Sequence, residues 1–359
     1  MLMLTAGKGR WDIPGAWRPA LDAAVQGATM LLLGETDSGK STAAMVLANQ
    51  ALAGGRRVGI VDADVGQSSI GPPACVSLAL PQTEFESAES LAPDQLDFVG
   101  ACSPAAHLLQ AVSSTAALVA AAREARCETI IVDTTGMVAG GLARALKAAK
   151  IRLTDPDIVV ALQADGEVEH LIAPYRTRRR PQLLRLRPSR AAQSRSREER
   201  TANRQRRFAA YFAGGASAEL SWQEAPAENS PWTNGEQLPG HLRAYAEERL
   251  GCEVVYAEKG ADTAVLIVRG RPDPEALRSL RGTFERTPHL IQADWLEGLL
   301  VGLLGATGET LAMGRLEGVD FRRQRLAVYT PLTDPGLVRG FRLGSVRISR
   351  DGSQLGAAD

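Results

Sequence analysis

The sequence has few of the residues from which metal clusters and disulfide frameworks are built. Its 359 residues include only four cysteines and four histidines, and no two cysteines form a C-x-x-C pair. A zinc cluster and a disulfide-stapled fold are therefore excluded, and a reducing, cytoplasmic location is expected. No apolar run approaches the ~20 residues of a membrane helix, and no basic leader precedes a long apolar core. We expect no contact with a membrane.

A net charge is also lacking. Lys plus Arg and Asp plus Glu balance at 41 each. The balance conceals one basic segment, because residues 176–207 contain thirteen Arg and two Glu, and the rest of the chain is correspondingly acidic. This segment is longer than contact with a single triphosphate requires, which favours a polyanionic partner such as a nucleic acid.

The length and the spacing of apolar segments predict two domains. A chain of 359 residues exceeds the usual size of a single core. From residue 28, short apolar strands alternate with helical stretches, which predicts an α/β domain with a doubly wound, mostly parallel sheet. After residue 212 a Gly-, Ser- and Pro-rich stretch predicts a connection to a smaller β-rich domain. The predicted parts are an N-terminal arm or edge strand (1–26), the α/β domain (27–215) and the β-rich domain (216–359).

The clearest motif lies between the first apolar strand and the helix that follows it. The stretch "GETDSGKST" fits G-x-x-x-x-G-K-[ST], in which backbone N–H groups surround phosphates, the Lys reaches the β- and γ-phosphates and the hydroxyl holds Mg²⁺. A strand, this loop and a helix predict a P-loop NTPase domain. The predicted nucleotide-binding residues are Gly34, Glu35, Thr36, Asp37, Ser38, Gly39, Lys40, Ser41 and Thr42.

Carboxylates end two further predicted strands. Asp62 and Asp64 close one strand in "VDADVGQSS", and Asp133 closes another in "TIIVDTTG". The carboxyl ends of strands meet at the edge where open α/β sheets bind ligands. A carboxylate there can hold Mg²⁺ or accept a proton from an attacking hydroxyl, and Thr134 adds a hydroxyl at the same edge. The same residue types also suit solvated turns.

The basic segment contains a predicted helix, "RSREERTANRQRRFAAYF". Arg200 and Arg204 are four residues apart, so helical spacing places them on one face. Such a helix can close over a triphosphate and bring guanidinium groups to a transferring phosphoryl group. Binding of a nucleic-acid backbone and a merely solvated basic face are the alternatives.

In this order, "GETDSGKST", "VDADVGQSS", "DTTGMVAGG" and the arginine-rich helix resemble the motifs of the polynucleotide 5′-hydroxyl kinase family. That family includes the RNA kinases of pre-mRNA cleavage and tRNA-splicing complexes and shorter archaeal proteins. The resemblance covers about residues 28–213, and the later "LEGLLVGLL" and "LEGVDF" stretches look like the family's β-rich tail. It implies that the γ-phosphate of ATP is transferred, with Mg²⁺, to the 5′-hydroxyl end of RNA or DNA.

The resemblance also implies roles for residues at the donor side and the acceptor side of the site. Lys40 and Ser41 match the family's phosphate- and magnesium-binding pair. Asp64 matches the Asp of a D-x-G-Q element, the expected base for the 5′-hydroxyl, and Gln67 matches the Gln that follows it in the substrate site. Eukaryotic members have Asn where this chain has Asp133, which suits a metal-side carboxylate.

Two further elements carry over from the family. Thr134 and Gly136 match a T-x-G clasp for the substrate end and the metal shell, and Arg200 and Arg204 match an R-x-x-x-R lid that stabilises the transferring phosphoryl group. The clasp usually continues into an aromatic residue, which here is Met137. The implied catalytic residues are Lys40, Asp64, Thr134, Arg200 and Arg204, and the implied magnesium ligands are Ser41, Asp64, Asp133 and Thr134.

Three alternatives remain open at this point. A GTPase switch normally carries Asn-Lys-x-Asp after a late strand, where this chain reads "ALQAD". An ATP-binding scaffold or switch ATPase without kinase activity would not need all the matching residues. A small-molecule kinase would not need so long a basic segment. The sequence leaves protein partners unknown, and it does not separate RNA from DNA as the acceptor.

Overall fold

The computed structural model describes residues 11–228, 230–261, 263–285 and 288–356. The chain divides into two compact units, Met1–Tyr211 and Phe212–Asp359. The strands of the first unit are β1 (Thr29–Leu33), β2 (Val58–Ala63), β3 (Cys75–Ala79), β4 (Gln95–Phe98), β5 (Thr129–Thr134), β6 (Ile158–Leu162) and β7 (Gln182–Leu186). Its helices are α1 (Arg18–Gln26), α2 (Lys40–Ala53), α3 (Leu108–Glu124), α4 (Gly140–Thr154), α5 (Glu169–Ile172) and α6 (Arg197–Phe212).

The first unit is built on a mixed sheet in the order β4-β3-β2-β5-β1-β6-β7. The five strands from β2 to β7 in this order are parallel, whereas β3 and β4 continue the sheet in antiparallel fashion. Every residue of β1, β2, β5 and β6 is buried, as expected for parallel strands covered on both faces. The predicted doubly wound α/β fold is confirmed, and β1 lies at its centre, between β5 and β6.

Residues 18–26 form helix α1, where we expected part of an N-terminal arm or edge strand; residues 1–10 of that arm lie outside the described residues. Its first turn carries a proline, which suits the start of a helix. Trp17, Ala20, Leu21 and Ala24 are buried against the same core as α2. The indole Nε1 of Trp17 also donates to the carbonyl of Arg187 at 2.9 Å. The segment packs as a helix because its apolar residues recur at helical spacing. A segment of nine residues is too short for that spacing to be clear from the sequence.

The second unit is β-rich, as predicted, and its described residues also form three α-helices. Its larger sheet runs β18-β17-β14-β15-β16-β8, with β9 beside β17, and a four-stranded sheet runs β10-β11-β12-β13. The strands are β8 (Ala216–Ser221), β9 (Ala227–Glu228), β10 (Glu236–Gln237), β11 (Glu253–Lys259), β12 (Ala264–Arg269), β13 (His289–Gln292), β14 (Leu299–Leu304), β15 (Thr310–Asp320), β16 (Arg325–Thr330), β17 (Gly340–Ile348) and β18 (Gln354–Leu355). The helices are α7 (Gly240–Leu250), α8 (Pro274–Ser279) and α9 (Arg281–Phe284).

The stretch that we expected to be a long connection contributes to the core of the second unit. Trp222 and Trp232 from this stretch are buried, and their rings meet edge to face with centroids 5.6 Å apart. Tyr256 and Phe321 complete the aromatic cluster. Two large aromatic residues therefore anchor a stretch whose Gly, Ser and Pro content indicates only its turns.

Candidate active site

The phosphate loop joins β1 to α2 in a tight conformation that two residues make possible. Gly39 adopts a φ of 86° at the start of α2, a left-handed value that favours glycine. Gly34 lies against β6, because a Cβ there would be 2.7 Å from the carbonyl oxygen of Leu162. The loop therefore turns at the carboxyl edge of the sheet with its backbone N–H groups at a helix N-terminus, an arrangement suited to phosphate.

Lys40 is held inside this loop. Its side chain is buried, and its Nζ donates to the carbonyl of Glu35 at 2.6 Å. Burial lowers the pKa of Lys40, and the negative charges of Asp133 and Asp64 oppose that shift. The ammonium group is therefore surrounded by the groups expected around a triphosphate and its metal ion.

A carboxylate and a hydroxyl meet beside Lys40. Ser41 Oγ donates to Asp133 Oδ2 at 2.5 Å, whereas Asp133 Oδ1 is buried without a hydrogen-bond partner among the described residues. Burial raises the pKa of Asp133, and Lys40 and the Ser41 hydrogen bond oppose the rise. A hydroxyl beside a carboxylate with one bare oxygen fits Mg²⁺, which binds few protein oxygens and takes the rest from water and phosphate. Accordingly, no cluster of three or more His, Cys, Asp or Glu capable of holding a metal occurs within the described ranges.

The loop after β2 presents Asp64 to the same place. Asp64 Oδ1 accepts the backbone N–H groups of Gly66 and Gln67, both at 3.0 Å. Asp62 holds the loop from its buried side. Its carboxylate is buried and accepts a hydrogen bond from the backbone N–H of Ser69 at 2.6 Å. Burial and the neighbouring Asp133 raise the pKa of Asp62 to about 7. Asp62 therefore organises the loop, while Asp64 lines the open cleft.

Helix α6 is tied to both loops. Arg200 Nη1 donates to Asp37 Oδ2 of the phosphate loop at 3.1 Å, and the backbone N–H of Arg195 donates to the same oxygen. The Gln67 side chain donates to the carbonyl of Arg200 at 3.3 Å, and Arg207 donates to the carbonyl of Ser69. The arginine-rich helix thus approaches the phosphate loop as the predicted lid would, with Arg200 engaged by Asp37.

The cleft enclosed by these elements has a volume of about 620 Å³ and is open to solvent. From α6 it is lined by Glu199, Ala202, Asn203 and Arg206, and the last two side chains are joined by a 3.0 Å hydrogen bond. Neither Asn203 nor Arg206 was among the residues that we predicted for the site. Arg204, which we predicted for the lid, is half-buried, donates to Thr201 Oγ1 at 3.2 Å and does not line the cleft. An i,i+4 pair fixes a shared face, but only packing decides which face of the helix meets the cleft.

Thr134 lies away from the cleft. Its side chain is fully buried, its hydroxyl donates to the carbonyl of Leu32 at 2.7 Å, and it accepts a hydrogen bond from Lys147 Nζ. The structure therefore does not place Thr134 as a magnesium ligand or as a contact to substrate. Successive side chains of a strand point to opposite faces, so Asp133 and Thr134 cannot both turn to Ser41.

Gly136 of the predicted clasp lies directly against the phosphate loop. A Cβ at this position would be 2.5 Å from the backbone nitrogen of Thr36, so only glycine permits the approach. Met137 follows, and with Glu35 and Gly136 it lines a separate shallow hollow of about 320 Å³. The clasp turn and the phosphate loop therefore form one packed unit.

Buried polar atoms without a partner are concentrated here. Five such side-chain atoms occur among the described residues, and three of them, Ser38 Oγ, Gln67 Oε1 and Asp133 Oδ1, belong to the predicted site. Leaving a buried polar atom unpaired costs ~1–3 kcal/mol, and native proteins keep few such atoms. Their clustering indicates that a polar ligand completes this site.

The geometry and motif order match one protein family. Residues 34–214 fit the family model described as mRNA cleavage and polyadenylation factor CLP1 P-loop. The chain belongs to this CLP1 P-loop family. It is 30% identical over 332 residues to a polyribonucleotide 5′-hydroxyl-kinase of Methanocaldococcus jannaschii, covering 92% of this chain and 90% of that protein. It is 28% identical over 330 residues to a polyribonucleotide 5′-hydroxyl-kinase of Pyrococcus furiosus, with the same coverage of both chains.

The fold of this CLP1-family chain also resembles that of a solved structure. The structure of a Clp1p–Pcf11p complex superposes with a TM-score of 0.57 at 12% identity and covers 92% of this chain and 76% of that chain. This likeness establishes the fold alone. Among the described residues, none of the helices is both long and apolar enough to cross a bilayer.

Within this CLP1-family site, the sequence analysis also missed two lysines of α4. Lys147 and Lys150 are fully buried, and their Nζ atoms donate to residues at the ends of β5 and β2. The available signal was two lysines on the face of α4 that carries its apolar residues, "GLARALKAAKIRL", where a charged residue is unusual unless it is paired.

Proposed function

We propose that this CLP1-family protein is an ATP-dependent polynucleotide 5′-hydroxyl kinase that acts on RNA. The observation that carries the proposal is the cluster of unpartnered buried atoms around Lys40, in a cleft that also presents Asp64. A donor site and an acceptor base at one sheet edge suit transfer of a phosphoryl group to a hydroxyl. Archaeal relatives bearing the name polyribonucleotide 5′-hydroxyl-kinase cover nine-tenths of the chain.

The donor half binds the triphosphate of ATP. Backbone N–H groups of residues 34–41 surround the phosphates, and Lys40 exchanges the carbonyl of Glu35 for phosphate oxygens. Ser41 and Asp133 are the residues suited to hold Mg²⁺. When bound, the ion neutralises charge on the β- and γ-phosphates.

The acceptor half uses Asp64 as the base for the terminal 5′-hydroxyl. The hydroxyl proton passes to Asp64, the 5′-oxygen forms a bond to the γ-phosphorus, and the bond from that phosphorus to the β–γ bridging oxygen breaks, leaving ADP. The two backbone hydrogen bonds to Asp64 Oδ1 fix the carboxylate before substrate arrives, and Gln67 lines the same cleft beside it. Positioning and charge carry most of the catalysis in such a transfer.

Helix α6 supplies the arginines of the proposed lid. Arg206 lines the cleft, and Arg200 is held at the phosphate loop by Asp37. We assign Arg206, which lines the cleft, to the phosphates of the acceptor strand, and Arg200, which does not line the cleft but is held at the phosphate loop, to the transferring phosphoryl group. Arginine suits both because its guanidinium group binds phosphate oxygens in pairs.

A cytoplasmic location stays a prediction that rests on the scattered cysteines.

A label-transfer assay tests the function. The purified protein is incubated with γ-labelled ATP, Mg²⁺ and oligonucleotides of RNA or DNA that end in a 5′-hydroxyl; matched oligonucleotides that already carry a 5′-phosphate are the control. We expect label on the 5′-hydroxyl RNA, none on the phosphorylated control, and loss of transfer when EDTA removes Mg²⁺. ATP binding without transfer to any oligonucleotide would favour the scaffold or switch, and label on a nucleoside alone would favour a small-molecule kinase.

A further inference from the structure

Helix α4 carries two lysines on its buried face. Lys147 and Lys150 are both 0% exposed and lie among Ala143, Leu146 and Ile151. Burial of a lone ammonium group costs several kcal/mol even after local relaxation. Neither lysine is among the residues that line the cleft, so neither is placed to touch a nucleotide. Both groups therefore require an explanation inside the protein.

Lys147 joins the ends of two strands. Its Nζ donates to Thr134 Oγ1 at 2.9 Å and to the carbonyl of Thr135 at 2.5 Å. The Thr134 hydroxyl in turn donates to the carbonyl of Leu32 on β1. A continuous chain of hydrogen bonds therefore runs from α4 through the end of β5 to β1, one residue before β1 ends and the phosphate loop follows.

Lys150 makes the corresponding contact to a third strand. Its Nζ donates to the carbonyl of Ala63 at 3.3 Å. Ala63 is the last residue of β2 and directly precedes Asp64. The two lysines, one helical turn apart, thus reach the carboxyl ends of β1, β2 and β5, and each of these strands leads into one part of the site.

Three carboxylates supply counter-charge to Lys150, whereas burial and the positive charge of Lys150 lower the pKa of Lys147 well below its usual value. Burial lowers the pKa of Lys150 to about 8, and the negative charges of Asp64, Asp62 and Asp133 act against that shift. A buried network of charged groups adds little to the free energy of unfolding. It does favour a single geometry, because a group that moves out of place loses its partners in a low-dielectric interior. In this protein the network fixes the relative positions of the ends of β2 and β5.

We propose that Lys147 and Lys150 are positioning residues of the phosphotransfer site, which hold the ends of β1, β2 and β5 so that Lys40, Asp64 and Gly136 meet. The inference rests on the proposed kinase function. It differs from a purely structural role because it predicts loss of turnover out of proportion to loss of stability.

The test compares Lys147→Met and Lys150→Met, which keep an unbranched side chain without the donor, with two controls on α4. Leu146→Ala removes buried packing in the same core without removing a hydrogen bond to a strand end, and Arg144→Met removes an exposed positive charge. We expect each Lys→Met variant to lower kcat on 5′-hydroxyl RNA by about 10²-fold, the usual effect of a ~1 Å misplacement, with KM for ATP changed much less. Both controls should retain wild-type kcat below their Tm, although Leu146→Ala lowers Tm. Lys147→Gln keeps an N–H donor and should recover part of kcat. If Lys147→Met does not fold, Lys147→Gln takes its place in the comparison with the controls.

Wild-type kcat in both Lys→Met variants, or an equal loss of kcat in Leu146→Ala, would overturn the inference. Hydrogen exchange gives a second readout that does not depend on kinase activity. Lys147→Met should speed exchange in residues 129–139, and Lys150→Met should do so in residues 58–68, whereas Arg144→Met should leave both segments unchanged. If the wild type transfers no phosphate, the proposed function fails alone; if exchange at the strand ends does not change, the positioning role fails.

Discussion

Replacing Gly136 with Ala tests whether the clasp turn sets the position of the phosphate loop. The added Cβ would lie 2.5 Å from the nitrogen and 2.6 Å from the Cα of Thr36. These are backbone atoms, so no side-chain rotation relieves the contact. Because ordinary contact begins at 3.4 Å, the loop would withdraw by about 0.9 Å. A displacement of ~1 Å at a reacting centre costs ~10²-fold in rate, and overpacking costs ~1–3 kcal/mol of stability.

The assay measures kcat/KM for ATP by label transfer, ATP affinity by titration, and Tm. We expect kcat/KM to fall about 10²-fold in Gly136→Ala, with weaker ATP binding because the loop itself is displaced. Gly141→Ala is the matched control, since its Cβ would meet only the tip of Arg144 at 3.9 Å and alanine favours helices. Wild-type ATP binding and transfer in Gly136→Ala would refute the assignment of the turn as a support of the loop.

Three further outcomes follow from the site. Asp64→Asn should bind ATP with nearly unchanged affinity yet lose about 10²-fold or more in kcat; normal turnover would show that Asp64 is not the base. Asp37→Asn should release Arg200 and speed tryptic cleavage in residues 195–200, while kcat falls about tenfold; unchanged cleavage would contradict the role of Asp37 as an anchor. Burial raises the pKa of Asp62 from 3.8 to about 7, so its contribution to stability is complete below its unfolded-state pKa and is lost as the pH rises toward 7. Urea midpoints of the wild type should fall over that window and those of Asp62→Asn should fall less; equal slopes would contradict the shift.

Much of the fold could be predicted because its signals are local. The apolar runs that became β1, β2, β5 and β6 are buried on both faces, and such strands are recognisable as continuous apolar segments. The less apolar strands β4 and β7 were missed, because half-exposed strands in polar or Arg-rich surroundings have no such run. Helix α1 was missed because its packing partners are distant in sequence.

The candidate site divides along the same line. The spacing of "GETDSGKST" required a phosphate loop, and Asp64 and Asp133 could be placed at strand ends from pattern alone. The sequence pattern could not predict which side chain at a strand end faces the ligand. Thr134 and Arg204 match the family's motifs by spacing, yet one is buried beneath the sheet edge and the other pairs with Thr201.

The sequence by itself determined the class of fold, the phosphate loop and the order of the motifs, because each depends on neighbouring residues and on the two periodicities of helix and strand. Only the tertiary structure decided that Asn203 and Arg206 line the cleft, that Gly136 meets Thr36, and that two lysines support three strand ends. Those facts depend on the rotation of each helix and on contacts between distant segments, which are settled by packing of the whole core.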